Sequence, residues 1–324
     1  MKRLLKILKW TGIVLVLLIL GLCAAVYFMY PAKYKVPYPE IAASTDSAVI
    51  AHGKYLVYGT AHCAECHGFT RENFKDYKPG DTPPLSGGMP FTFPGAVAYA
   101  RNLTPDKETG TGKYTDKELA RIIRYGVRPN DEAIMPFMMY GDLSDADLTA
   151  IISYLRSVAP VKKQIPENEV GFLMKGIILF FMKQFMPTGE FTKPAEQDTS
   201  VAYGKYLAHA VSGCVACHTK MDEITGELIG PIFGGGAKTP SATEEAGVWV
   251  MSPNLTPDPE TGKIYDWSYE LFKNRFKQGR TVKESIMPWE MFQNYSDDDL
   301  KAVYKYLKSI PAVKNEVKEV VIHE

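Results

Sequence analysis

The sequence predicts an all-α fold, with two tandem helical domains of similar size following an N-terminal transmembrane helix. Three observations carry this reading. An uncharged apolar run occupies residues 10–30. The rest of the chain is one unit written twice. Within each copy the apolar positions recur at helical rather than strand spacing. A chain of 324 residues has room for two ordinary domains beside an anchor and a linker.

The anchor comes first. Lys2, Arg3, Lys6 and Lys9 precede the apolar run, which reaches the roughly 20 residues a helix needs to cross a bilayer. Trp10 at one end and Tyr27, Phe28 and Tyr30 at the other suit the two interfacial layers. The basic flank predicts a cytoplasmic N-terminus, with everything after Pro31 exported to the periplasmic side of the inner membrane. A cleaved signal peptide is the alternative, with Cys23-Ala24-Ala25 as its small-residue site. The run is long for a cleavable core, so a retained single-pass anchor is expected over residues 1–31.

The repeat organises the rest. Gly53-Lys54-Tyr55-Leu56 recurs as Gly204-Lys205-Tyr206-Leu207, and Asn102-Leu103-Thr104-Pro105-Asp106 as Asn254-Leu255-Thr256-Pro257-Asp258. Ile134-Met135-Pro136 recurs as Ile286-Met287-Pro288, and Tyr154-Leu155 as Tyr306-Leu307. The offset is 151 residues at the cysteines and 152 later. This divides the chain into a first domain over residues 32–160, a linker over 161–197 and a second domain over 198–324. In the first, Ser144 is the expected N-cap of a helix whose stripe is Leu148, Ile151, Ile152 and Leu155. Ser296 stands before Leu300, Val303, Tyr304 and Leu307 in the same way. Thr115 and Glu118 form a capping box. Further helices are expected over residues 47–58 and 199–210. The Gly- and Pro-rich stretches 78–94 and 230–240 show no strand periodicity and read as loops.

Lys and Arg total 37, as do Asp and Glu. Without an excess of positive charge there is no reason to expect nucleic acid as a partner. Four of the five cysteines fall in two C-x-x-C-H groups: Cys63, Cys66, His67 and Cys214, Cys217, His218. That pattern is the attachment signature of c-type haem, in which both thiols bond to the macrocycle and the histidine sits under the iron. A zinc ribbon would place its second cysteine pair about 15–20 residues away rather than almost half a chain away. Two covalently bound haem c groups are therefore expected.

Each unit also carries a methionine, Met135 or Met287, in an Ile-Met-Pro-aromatic segment well after its histidine. Methionine more often fills gaps than binds metal, and Met89, Met138, Met139 and Met291 are nearby. The repeat favours Met135 and Met287 as distal ligands of the haem iron. The proline after each biases it towards extended backbone. Histidine/methionine ligation raises the haem potential and leaves no open position, which suits one-electron relay. His52, His62, His209 and His323 are expected to be ordinary surface or core residues. Arg101 is a candidate partner for a haem propionate, and Tyr55 and Tyr206 are expected against the haem edge. The apolar stretch 171–186 is short for a span and is interrupted by Lys175 and Lys183. It reads as a helix either buried between the domains or lying on the membrane surface.

These CxxCH units, with the Asn-Leu-Thr-Pro-Asp loop, the Met-Pro-aromatic segment and the stretch Pro166-Glu167-Asn168-Glu169-Val170, resemble the multihaem cytochrome c subunits of bacterial membrane-bound alcohol and gluconate dehydrogenases. The resemblance covers residues 45–312. It implies two tandem cytochrome c-like domains, with iron held by His67 and Met135 and by His218 and Met287. It also implies redox partner proteins: electrons would pass from a periplasmic dehydrogenase towards quinone, a terminal oxidase or another cytochrome of a respiratory chain. The chain departs from that family in having two haem units rather than three, and in its N-terminal anchor. A dihaem cytochrome c peroxidase is the rival enzyme, but it needs one iron that can open a position, usually in unlike units. A thiosulfate dehydrogenase would need a cysteine ligand, and only Cys23 in the anchor is spare.

Overall fold

A computed structural model describes residues 2–70, 76–182, 186–191, 197–222, 225–243 and 245–324. Helix α1 (Lys2–Met29) is long and apolar enough to cross a membrane. Of its side chains only Val26 is buried. The chain that leaves it is tied down at once: the Ala133 N–H donates to the Ala32 carbonyl (2.8 Å), and the Tyr34 N–H to that of Asp131 (2.9 Å).

In the first repeat, α2 (Ser47–Tyr58) packs across α5 (Asp145–Ser157); α3 (Cys63–His67) and α4 (Asp116–Tyr125) lie between them in sequence. In the second, α7 (Val201–Tyr206) packs across α11 (Asp297–Ser309), with α8 (Cys214–Cys217), α9 (Tyr269–Lys277) and α10 (Trp289–Phe292) between. The repeated glycine explains both crossings. A Cβ on Gly53 would lie 1.9 Å from the Ala150 carbonyl oxygen, and one on Gly204 2.0 Å from that of Ala302. Only glycine lets the backbones approach so closely. Leu148, Ile152 and Leu155, and Leu300 and Leu307 opposite, are then fully enclosed, each contributing about 2 kcal/mol.

The expected caps form. Thr115 and Glu118 make the reciprocal capping box of α4, which ends on Gly126 in the left-handed region. Ser144 accepts from the Asp147 N–H and Ser296 from the Asp299 N–H, both at 3.1 Å. The helix expected over residues 199–210 changes pitch: after α7 it continues as a π-turn, Leu207–Val211.

The fold is mostly helical but not all-α. Strands β1 (Pro90–Phe93), β2 (Ala96–Tyr99) and β3 (Glu169–Val170) form one antiparallel sheet; β4 (Lys238–Pro240), β5 (Val248–Met251) and β6 (Val321–His323) form another. β1 and β4 fall in stretches read as loops. Strands of three or four residues are too short for alternation to show, and the third strand of each sheet arrives from the segment beyond its repeat's last helix. His323 thus belongs to a strand.

The two repeats share one continuous hydrophobic core and exchange matched hydrogen bonds. The Tyr206 hydroxyl donates to Asp147 and accepts from the Ser144 N–H (3.0 Å). The Tyr55 hydroxyl donates to Asp299 (2.5 Å) and accepts from the Ser296 N–H (3.0 Å). The hydroxyls of these tyrosines therefore bridge the repeats, each reaching the capped helix start opposite. His52 also bonds Asp147 (2.6 Å), and Tyr203, at the matching position, bonds Asp299.

The apolar linker forms α6 (Phe172–Phe180), none of whose residues is buried. This corrects the reading of a helix buried between domains. Lys183, counted as an interruption of that stretch, lies outside the described residues.

Candidate haem sites

Each C-x-x-C-H group is a short helix entered through one residue in the left-handed region, His62 (φ 41°) before α3 and Gly213 (φ 61°) before α8. Burial pushes the Cys63 and Cys214 thiols up to about 12. The two histidines are held alike. His67 Nδ1 lies 2.7 Å from the Arg101 carbonyl oxygen, and His218 Nδ1 lies 3.1 Å from that of Pro253. A carbonyl only accepts, so Nδ1 carries the proton and Nε2 keeps its lone pair for a metal. Burial also holds both imidazoles below the usual histidine range, that is, neutral and able to ligate.

The acceptor carbonyls are fixed by the repeated loop just beyond them. Asn102 Nδ2 donates to the Val161 carbonyl (2.8 Å), and its Oδ1 accepts from the Thr104 N–H (3.0 Å). Asp106 accepts from the Thr109 N–H (2.7 Å). Asn254, Thr256, Asp258 and Thr261 repeat the pattern, tied to the Val313 carbonyl at 2.7 Å. Asn102 and Asn254 are buried, so this motif is a folding knot that holds a carbonyl in place for the histidine. A second support is less conspicuous in the sequence. The Gly87 N–H donates to the His67 carbonyl and the Gly235 N–H to that of His218, both at 2.8 Å. Both glycines have positive φ, and a Cβ on either would stand about 2.6 Å from the chain at Arg101 or Pro253. The signal was present, since Gly87-Gly88 and Gly235-Gly236 are matched in the repeat.

The donor set fits covalently attached haem. Among the described residues, no three or more His, Cys, Asp or Glu side chains converge as a tetrahedral zinc site requires. Two thiols and a histidine with a free Nε2 on one short helix are the parts a c-type haem uses.

The methionine segments differ in their surroundings. Met135 lies beside the chain leaving α1, lining a cleft with Tyr30, Tyr34, Pro136, Ile178 and Met182. Met287 is partly buried against the core. Its carbonyl accepts from Arg280, whose guanidinium also pairs with Glu290 (2.7 Å). Met139 and Met291 are a second matched pair in the repeat, beside Met135 and Met287. Met291 is wholly enclosed in the core, and Met139 reaches the second motif, 3.5 Å from where a Cβ on Gly213 would stand. Met89 precedes β1, at a position where the second repeat has Ala237.

Contacts between the repeats cluster at these motifs. α10 packs on α3, and the His62 and Phe292 rings meet edge to face at 5.5 Å. Glu65, inside the first motif, is pushed up to about 8 by burial; Arg280 of the second repeat opposes this and Glu290 adds to it. Arg101, the candidate partner of a propionate, is engaged by the linker. Its guanidinium bonds the Pro166 carbonyl and the Asn168 side chain, both at 2.9 Å, and so clamps the linker. His209 bonds the Tyr306 hydroxyl (2.7 Å).

Residues 50–159 match the cytochrome c family. The chain is 28% identical over 280 residues to the gluconate 2-dehydrogenase cytochrome c subunit of Pantoea cypripedii, covering 82% of this chain and 60% of that protein. It is 29% identical over 293 residues to the cytochrome c subunit of the quinone alcohol dehydrogenase of Gluconobacter oxydans, covering 84% and 57%. A diheme cytochrome c-type protein of Cereibacter sphaeroides is 23% identical over 268 residues, covering 80% and 85%. The chain spans 60% or less of the length of those two dehydrogenase subunits. The resemblance drawn from the motifs therefore holds.

Proposed function

We propose that this chain, with its cytochrome c domain over residues 50–159, is an electron-transfer protein rather than an enzyme: a membrane-anchored cytochrome with two covalently attached haem c groups. One would be held in residues 32–160 by Cys63, Cys66, His67 and Met135, the other in 198–324 by Cys214, Cys217, His218 and Met287, with 161–197 joining them. The observation that carries this reading is the doubled histidine arrangement, Nδ1 turned onto a fixed carbonyl and Nε2 left for iron in both motifs. So ligated on both faces, each haem would accept and release single electrons without an open position for substrate.

The protein's part is positioning. The Asn-Thr-Asp knots and glycines set the histidines, and the Arg280–Glu290 pair steadies the segment of Met287. The names of the relatives support a dehydrogenase as electron donor, with quinone, a terminal oxidase or another cytochrome downstream in a periplasmic respiratory chain. α1 would be the retained inner-membrane anchor. The peroxidase alternative needs unlike units, and the matched histidine settings do not favour it.

A redox titration of the haem-loaded protein tests the ligands. Met135→Ala and Met287→Ala should each lower the potential of one haem and leave its attachment intact, whereas Met139→Ala should leave both potentials unchanged. Unaltered potentials and spectra in the first two variants would overturn the assignment, and a shift with Met139→Ala would redirect it to that residue.

A further inference from the structure

Helix α6 has two faces. Towards the protein, Met174 lies by Gly95, and Ile178 joins the cleft that Met135 and Tyr30 line. Towards α1, a Cβ on Gly176 would meet Val26 Cγ2 at 3.5 Å, and Lys175 Nζ stands 5.5 Å from the Tyr30 ring centroid. Leu173, Ile177, Phe180 and Phe181 point away from both and are exposed, Leu173 at 83%. Leu173, Ile177 and Phe180, spaced i, i+4 and i+7, make one apolar stripe on the nine-residue helix, and Phe181 at its C-cap extends it.

The contact with α1 sets the depth of this stripe. From Trp10 the helix rises 1.5 Å per residue, so Val26 and Tyr30 come roughly 24–30 Å along it, where hydrocarbon gives way to headgroups. α6 meets α1 at that level, through Gly176 at Val26 and Lys175 at Tyr30. A lysine that stays beside an aromatic ring at the rim, with leucine and phenylalanine below, is the pattern of a helix lying in the interfacial layer.

We propose that α6 is a second membrane contact. It lies in the outer interfacial layer beside the anchor, with Leu173, Ile177, Phe180 and Phe181 among the acyl chains. This rests on α1 crossing the bilayer. Together with α1, helix α6 turns the Met135 side of the first repeat to the lipid.

The test uses the full haem-loaded protein in vesicles of phosphatidylethanolamine and phosphatidylglycerol doped with a phospholipid carrying a diazirine on its acyl chain. After irradiation, lipid adducts are mapped by peptide mass spectrometry. Adducts are expected in α1 and at residues 173–181, the latter roughly ten-fold above the exposed segment around Lys318. Adducts in α1 with α6 no higher than the Lys318 segment would overturn the interfacial helix and leave the anchor standing. Adducts in neither would remove the anchor reading, and the proposal with it.

Discussion

Replacing Tyr206 with phenylalanine removes one oxygen from the seam between the repeats and nothing else. The ring keeps its contacts with Phe191 and Tyr203. The lost hydroxyl donates to Asp147 and accepts from the Ser144 N–H. Tyr206 is 2% exposed and Asp147 5%, so water cannot take its place at either group. A hydrogen bond to a carboxylate contributes about 1.5–3 kcal/mol and one to an amide about 1, which gives roughly 2–4 kcal/mol for the pair. His52 still bonds the other Asp147 oxygen, so the lower half of that range is expected. Thermal unfolding of the haem-loaded protein in detergent, followed by circular dichroism, should show a fall in Tm of roughly 5 °C. Tyr55→Phe should behave alike. A change below about 0.5 kcal/mol, the scatter of ordinary surface substitutions, would refute the bridge.

Gly53→Ala and Gly204→Ala put a methyl within 2.0 Å of a carbonyl oxygen. Each should cost upwards of about 3 kcal/mol, read as loss of folded haem protein in the membrane fraction; normal yields would refute the close crossing. Burial raises Asp299 above the ordinary carboxylate range. Its unfolded form loses its proton at about pH 4 and its folded form higher, so the folded state binds more protons between the two values. Asp299 therefore lowers stability as pH rises through that window. In Asp299→Asn that component of the Tm–pH curve should vanish between about pH 4 and the folded value; an unchanged slope would show that another group is responsible.

The sequence disclosed the helices, because their caps and stripes are local. Ser144, Ser296, Thr115 and Glu118 do in space what their spacing announced. It disclosed the cysteines and histidines, because they stand in a contiguous motif. The sheets escaped notice, since β3 and β6 pair with strands many residues earlier and are very short. The carbonyls of Arg101 and Pro253 were equally invisible: a backbone acceptor leaves no residue-type signature, and one side chain there is arginine while the other is proline. The tyrosines were flagged by the repeat, but their bonds across the seam were not, because matched positions reveal symmetry but not which half a side chain reaches into. Among the methionines the repeat marks two pairs; the proline after Met287 and the full enclosure of Met291 tell them apart.

The exchange of Tyr206 to Asp147 for Tyr55 to Asp299 bears on how the two halves are related. Residue i of one half meets residue j of the other, and j meets i, which is the rule of a two-fold symmetric dimer. An interface of that kind is complete within a single copy of the unit, since every copy carries both the donor and the acceptor. The chain thus packs its two halves by the rule of a homodimer, within one polypeptide. The copies differ where the symmetry does not bind them: Arg128 and Arg280 are matched, but Glu290, which pairs with Arg280, stands where the first repeat has Met138.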